Sequence, residues 1–142
     1  MILPDANLLL YAYDQSSPFH AQSKAWCERI MSGPAPVILL PAVVFGFVRI
    51  STHPRVFQDP LAVGEAAALV RAWLVRRHVQ LHEMLADDVE SALRLLESAG
   101  TAGNLTTNAQ IAAVALRLDA EVQTADLDFG RFPQVRFVNP LV

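Results

Sequence analysis

Residues 35–41 read APVILLP, a run of aliphatic side chains from Val37 to Leu40 closed by Pro36 and Pro41. A segment this short and this uniformly apolar leaves no face for water. It suits a strand buried on both sides, as in a parallel sheet covered by helices. A proline at each end is compatible with a strand terminus, where a missing N–H breaks no ladder.

The segments on either side extend the pattern. Upstream, MILPD (1–5) is a very short strand ending at Asp5, and ANLLLYAYD (6–14) a short helix capped by Asp5 or Asn7, with Leu8, Leu9 and Tyr11 turned inward. SSPFHAQSKAWCERIMSG (16–33) is a second helix, with Pro18 near its start, Gly33 past its end and Phe19, Trp26 and Ile30 on one stripe. Downstream, AVVFGFVRIST (42–52) reads as a helix, although its β-branched residues suit a strand equally.

HPRVFQDPL (53–61) is a loop with two proline breakers, followed by an alanine-rich helix to His78 and a short strand, VQLHE (79–83). ADDVESALRLLESAG (86–100) is a helix in which Asp87, Asp88 and Glu90 read as favourable first-turn charges. The next helix is expected to open with a capping box of Thr107 and Gln110, putting Asn108 at its first position. AEVQTAD (120–126) and VRFVNPLV (135–142) supply the last strands.

Short strands alternating with helices predict one α/β domain over residues 1–142, a three-layer α/β/α fold with a central, mostly parallel sheet. Ligands of such sheets bind beyond the carboxyl ends of the strands. Asp5 ends the first strand, Asp126 and Asp128 follow a late one, and Asn108 opens the helix between. The topology therefore predicts that these four converge on one edge.

Composition narrows the function classes. The chain of 142 residues is 53% hydrophobic and 18% charged with a net charge of −3, which excludes disorder and a globally basic nucleic-acid binder. It leaves room for one basic rim. The low charge points to a partner, and a homodimer is expected, with Phe45 and Phe47 contributing. The lone Cys27 rules out an internal disulfide and reads as a buried apolar residue. No run reaches the ~20 apolar residues of a membrane span. With no signal-peptide pattern, the expected location is cytoplasmic.

Carboxylates gathered without a lysine or arginine repel one another until a cation neutralises them. Oxygen ligands with no histidine or cysteine beside them favour Mg²⁺ or Mn²⁺. Such an ion keeps waters, one of which can attack a phosphodiester. Thr124 is expected to offer a hydroxyl to water or phosphate. Taken singly, each motif has a plainer reading: aspartate after a strand is a common turn former, and the histidines lack metal spacing with Cys27.

The ordered combination of motifs resembles the PIN-domain ribonuclease family and, within it, the VapC toxins of toxin–antitoxin pairs. LPDANLLLYAYDQSSPFH is similar to the first motif of that family, with Asp5 as metal ligand and Asn7 as its usual asparagine. AVVFGFVRISTHPRVFQDPL resembles the second, including Arg49 and Thr52. GNLTTNAQIAAVAL resembles the third, and EVQTADLDFGRFPQVRFVNPL the fourth, where Thr124, Asp126, Asp128, Phe129 and Phe132 match. The resemblance implies a metal-dependent endoribonuclease restrained by a small cognate antitoxin. Asp5, Asn108, Asp126, Asp128 and Thr124 would be catalytic. Asp5, Asp126 and Asn108 would hold Mg²⁺ or Mn²⁺, and Asn7, Arg49 and Arg131 would contact RNA.

Two positions depart from the family pattern. Gly46 stands where a glutamate is usual and Asn108 where an aspartate is usual. Asparagine still offers a neutral oxygen but brings no charge and cannot act as a base. The alternative implied is a catalytically weakened protein acting mainly by binding antitoxin or RNA.

Overall fold

The computed structural model describes residues Met1–Val142. Strands β1 (Ile2–Pro4), β2 (Val37–Leu39), β3 (Val79–Leu81), β4 (Glu121–Gln123) and β5 (Phe137–Val138) form one sheet in the order β3-β2-β1-β4-β5. Every neighbouring pair is parallel. The helices are α1 (Ala6–Tyr13), α2 (His20–Ser32), α3 (Pro41–Ser51), α4 (Val63–Leu74), α5 (Ala86–Ala99) and α6 (Thr106–Leu118).

The strand order decides the layers. From β1 through β2 to β3 the chain moves one way across the sheet, carrying α1 to α4. From β3 to β4 it returns past two strands, carrying α5 and α6. Right-handed crossovers then place the first four helices on one face and the last two on the other. The packing agrees: α1 lies against α2 and α3, α3 against α4, and α5 against α6. This is the three-layer α/β/α fold the sequence predicts. The direction of travel reverses between β1 and β4, so the switch point of the sheet lies between their carboxyl ends.

Strands of three residues make few ladder bonds, so burial holds the sheet. Val37, Ile38 and Leu39 are fully buried, as the APVILLP reading requires, and Leu3 and Val122 fill the neighbouring strands. Pro41, which closes that run, is also the first residue of α3. Its fixed φ suits a helix start. The segment after it is a helix, because Val43, Val44 and Phe47 bury together at helical spacing. Phe47 belongs to the core, against Trp73 and Tyr13. Of the two phenylalanines expected at an interface, only Phe45 is available, at 69% exposure. Burial pushes the Cys27 thiol up to about 11, which suits an inert core residue.

The capping box expected at α6 does not form. Residues Gly103–Leu105 make a short 3-10 turn, entered at Gly103 with φ 49°, and Thr106 bonds the Gly103 carbonyl at 2.7 Å. The helix therefore starts two residues earlier, at Thr106. Asn108 becomes its third residue, and Gln110 makes no capping bond.

No helix is long and apolar enough to cross a membrane.

Candidate active site at the switch point of the sheet

Parallel pairing places Pro4 opposite Gln123, so the chain leaves β1 and β4 side by side. Asp5 caps α1: its Oδ1 accepts the Ala6 N–H at 2.7 Å. Its Oδ2 accepts the Thr124 hydroxyl at 2.9 Å and the Asn7 amide at 3.3 Å. Asn7 also donates to Thr124 Oγ1 at 3.2 Å, while its own oxygen takes the Ala125 N–H at 3.3 Å. Thr124 is thus the keystone. Its single proton goes to Asp5 and its oxygen accepts from Asn7 and from the Asp126 N–H at 2.9 Å. A hydroxyl only 1% exposed and fully bonded positions other groups and has no proton left for substrate.

Asp126 is held from both sides. Its Oδ1 accepts the Asp128 N–H at 2.9 Å, a turn that opens the 3-10 segment Leu127–Arg131. Its Oδ2 accepts the Asn108 amide at 3.0 Å. The four residues expected at one edge, Asp5, Asn108, Asp126 and Asp128, are therefore joined through Thr124 and the turn after β4. Asp128 is exposed and contributes its backbone. Arg49 is exposed on α3, and Arg131 reaches the Ala99 carbonyl at 3.4 Å, so neither arginine enters this network. The bridging role of Asn7 had a sequence signal, its place two residues after a strand-terminal aspartate. Its partners 117 and 118 residues away had none.

The electrostatics are unrelieved. Asp5 is 7% exposed, and burial raises its carboxyl above the usual carboxylate range. The Thr124 and Ala6 hydrogen bonds pull it down, and the charge of Asp126 pushes it up again. No lysine or arginine bonds either carboxylate. No group of three or more His, Cys, Asp or Glu side chains is gathered anywhere in the chain as a metal ion would need. Two carboxylates are still what a magnesium ion asks of a protein when waters and substrate phosphates complete its shell. The set therefore fits a divalent ion weakly. The Asn108 amide must first turn its oxygen inward and give up its bond to Asp126. Gly46, on α3, faces Ala6: a Cβ built there would lie 3.8 Å from the Ala6 Cβ, in ordinary contact. The position borders the site and supplies no carboxylate.

The largest cavity, about 410 Å³, lies elsewhere, among Tyr13, Cys27, Met31, Leu69 and Trp73. It has no part in the acidic edge.

An all-parallel sheet with acids at its switch point is an arrangement found in more than one family, and comparison with known proteins decides which this is. The PIN domain model matches residues 2–135. Ribonuclease VapC33 of Mycobacterium tuberculosis is 40% identical over 141 residues, covering 99% of each chain. Among solved structures, Mycobacterium tuberculosis VapC20, described as a Sarcin-Ricin loop cleaving toxin, superposes with a TM-score of 0.71 at 19% identity, covering 96% of this chain and 99% of that one. VapBC2 from Rickettsia felis, bound to a promoter DNA fragment, gives 0.68 at 16% identity, covering 98% of each. The chain belongs to the PIN-domain family and, within it, to the VapC toxins.

Proposed function

We propose that this chain is a VapC-type toxin with a weakened ribonuclease centre, which binds RNA and a cognate antitoxin better than it cleaves. One observation carries the reading: an amide, Asn108, occupies the position of a third acid and donates to Asp126 at 3.0 Å, tying up the oxygen an ion would need. Gly46 adds a second missing charge. Losing carboxylates from a Mg²⁺ site removes Coulomb attraction of several kcal/mol, roughly, at low effective dielectric. The ribonuclease names of the relatives and the toxin–antitoxin complexes among the structural neighbours support the class of activity and partner.

Within this reading each residue has a definite task. Asp5 and Asp126, with the Asn108 oxygen, would hold Mg²⁺ or Mn²⁺. When bound, that ion would supply Lewis acidity and an acidified water for phosphodiester hydrolysis. Thr124 and Asn7 hold the Asp5 carboxylate in place, and the Asp128 N–H fixes Asp126. Arg49 and Arg131, outside the network, are left to meet RNA phosphates. A small antitoxin placing an arginine against Asp5 and Asp126 would compete for the same charge. The protein is proposed to act as a homodimer in the cytoplasm. A scattering mass of 15.6 kDa at every concentration would remove the dimer.

A second reading, a fully active Mg²⁺-dependent endoribonuclease, is favoured by the raised Asp5 carboxyl, since an unrelieved acidic pair is what a divalent ion relieves. Replacing Asn108 by Asp separates the two. On a labelled RNA in Mg²⁺ or Mn²⁺, the weakened site gains about 100-fold or more in cleavage rate. The gain is lost in EDTA or on adding Asp126→Ala. A wild-type rate already equal to that of the variant overturns the weakened site in favour of the active one. Cleavage that survives EDTA contradicts both.

A further inference from the structure

Beside the acidic edge lies a pocket of about 200 Å³, lined by Leu40, Pro41, Ala42, Glu83, Met84 and Gln110. Leu40 and Pro41 follow β2, Glu83 and Met84 follow β3, and Gln110 projects from α6, the helix that carries Asn108. The pocket therefore sits on the same carboxyl edge as Asp5, one to two strands away, or about 5–10 Å at normal strand spacing. That matches the reach from one phosphate of a single strand to the neighbouring base.

We propose that this pocket is a nucleobase subsite, and that it selects guanine in an RNA strand whose phosphate lies at the acidic edge. The proposal rests on the RNA-binding reading above and deepens it. Leu40, Pro41, Ala42 and Met84 offer apolar walls to the faces of one flat heterocycle. The polar groups are unspent: neither the Glu83 carboxylate nor the Gln110 amide makes a hydrogen bond within the chain, although shorter-range partners are taken throughout the neighbouring site. Gln110 is free because the capping box that would have claimed it is not made.

The loop is pre-positioned. His82 N–H donates to the Leu39 carbonyl at 2.9 Å, and Arg117 donates to the Glu83 carbonyl at 3.5 Å. A carboxylate held there wants two adjacent donors. Guanine alone presents them on its Watson–Crick edge, as its ring N–H and exocyclic amine; the other bases leave at least one carboxylate oxygen facing an acceptor. Discrimination follows from the second donor that the wrong base does not offer to the carboxylate. The Gln110 amide can donate to an acceptor elsewhere on the same ring.

The test is fluorescence anisotropy with labelled oligouridine strands carrying one guanine, inosine, adenine or cytosine. Ca²⁺ replaces Mg²⁺ so that the strand is bound without being cut. The guanine strand is expected to bind about 10-fold more tightly than the others, inosine included, because a bidentate pair is worth that much. Glu83→Gln, an exposed substitution, brings the four strands to within about 2-fold of one another. Equal binding of all four by wild type overturns the subsite and leaves the RNA reading standing. Retained guanine preference in Glu83→Gln overturns the assignment of the carboxylate. No binding of any strand overturns the RNA reading, and the subsite with it.

Discussion

Asp5 and Asp88 have much in common. Both are buried, at 7% and 2% exposure, both stand at the start of a helix, and both accept a backbone N–H there. Their surroundings part at one point. Asp88 shares the Arg117 Nε–H between its two oxygens, at 2.8 and 3.0 Å, across the α5–α6 contact. Burial pushes its carboxyl up, but the Arg117 hydrogen bond, the Leu85 N–H and the Arg117 charge outweigh it, and the net shift is down. Asp5 has no cation, and its carboxyl stays above the usual range. The same chain neutralises one buried acid and leaves the other unrelieved. Unrelieved charge in a cleft is a mark of function, because the fold would be more stable without it.

The largest effect should fall on the neutralised side. Arg117→Ala strands a buried carboxylate, and about 2–3 kcal/mol of stability should be lost, somewhat less than for a wholly buried pair because Arg117 is partly solvated. The corresponding fall in Tm is roughly 5–10 °C for a chain this long. A neutral result by thermal melting would erase the contrast. The Asp88 contribution is also pH-dependent: present above the ordinary carboxylate range, it is lost as pH falls through the depressed folded value.

Asp5 should behave with the opposite sign. Its folded state favours the proton, so stability is withdrawn as pH rises from the ordinary aspartate value through the raised folded one. Asp5→Asn should therefore melt higher than wild type at pH 7, by less than Arg117→Ala loses, and the gain should vanish below the ordinary aspartate pKa. An unchanged or lower Tm at pH 7 would mean that the hydrogen bonds from Thr124 and Ala6 already repay the burial.

Gly46→Ala should give the smallest change. The Cβ makes an ordinary contact with Ala6 in a helix interior, and about 0.5–1 kcal/mol should be gained. A loss in a urea titration would show that α1 and α3 cannot absorb a methyl beside Ala6.

The fold was legible because its signals are local. APVILLP announces a doubly buried strand, and Gly33 the end of α2. The acids at the edge were legible through topology. The rest depended on contacts that no local pattern encodes. Asp88 reads as a first-turn charge, and only the packing of α5 on α6 brings in Arg117, 29 residues on. Thr107 and Gln110 have the spacing of a capping box, but the 3-10 turn at Gly103–Leu105 already starts the helix and spends Thr106 on the Gly103 carbonyl. Thr124 reads as a substrate-facing hydroxyl until it is seen donating its hydrogen bond to Asp5.

The hydrogen bond from Thr124 to Asp5 spans 119 residues, and β4 must slot in beside β1 to make it. During synthesis this order has a consequence. A ribosome that has released α6 has delivered Asp5, Asn7 and Asn108 but neither Thr124 nor Asp126, and β1 still shows an unpaired edge to the surrounding solution. At a synthesis rate of about 5–20 residues per second, the closing strand follows within seconds. Until then the emerging polypeptide has only half an acidic edge, and a chain that stops before β4 never joins Asp5 to Thr124 or Asn108 to Asp126.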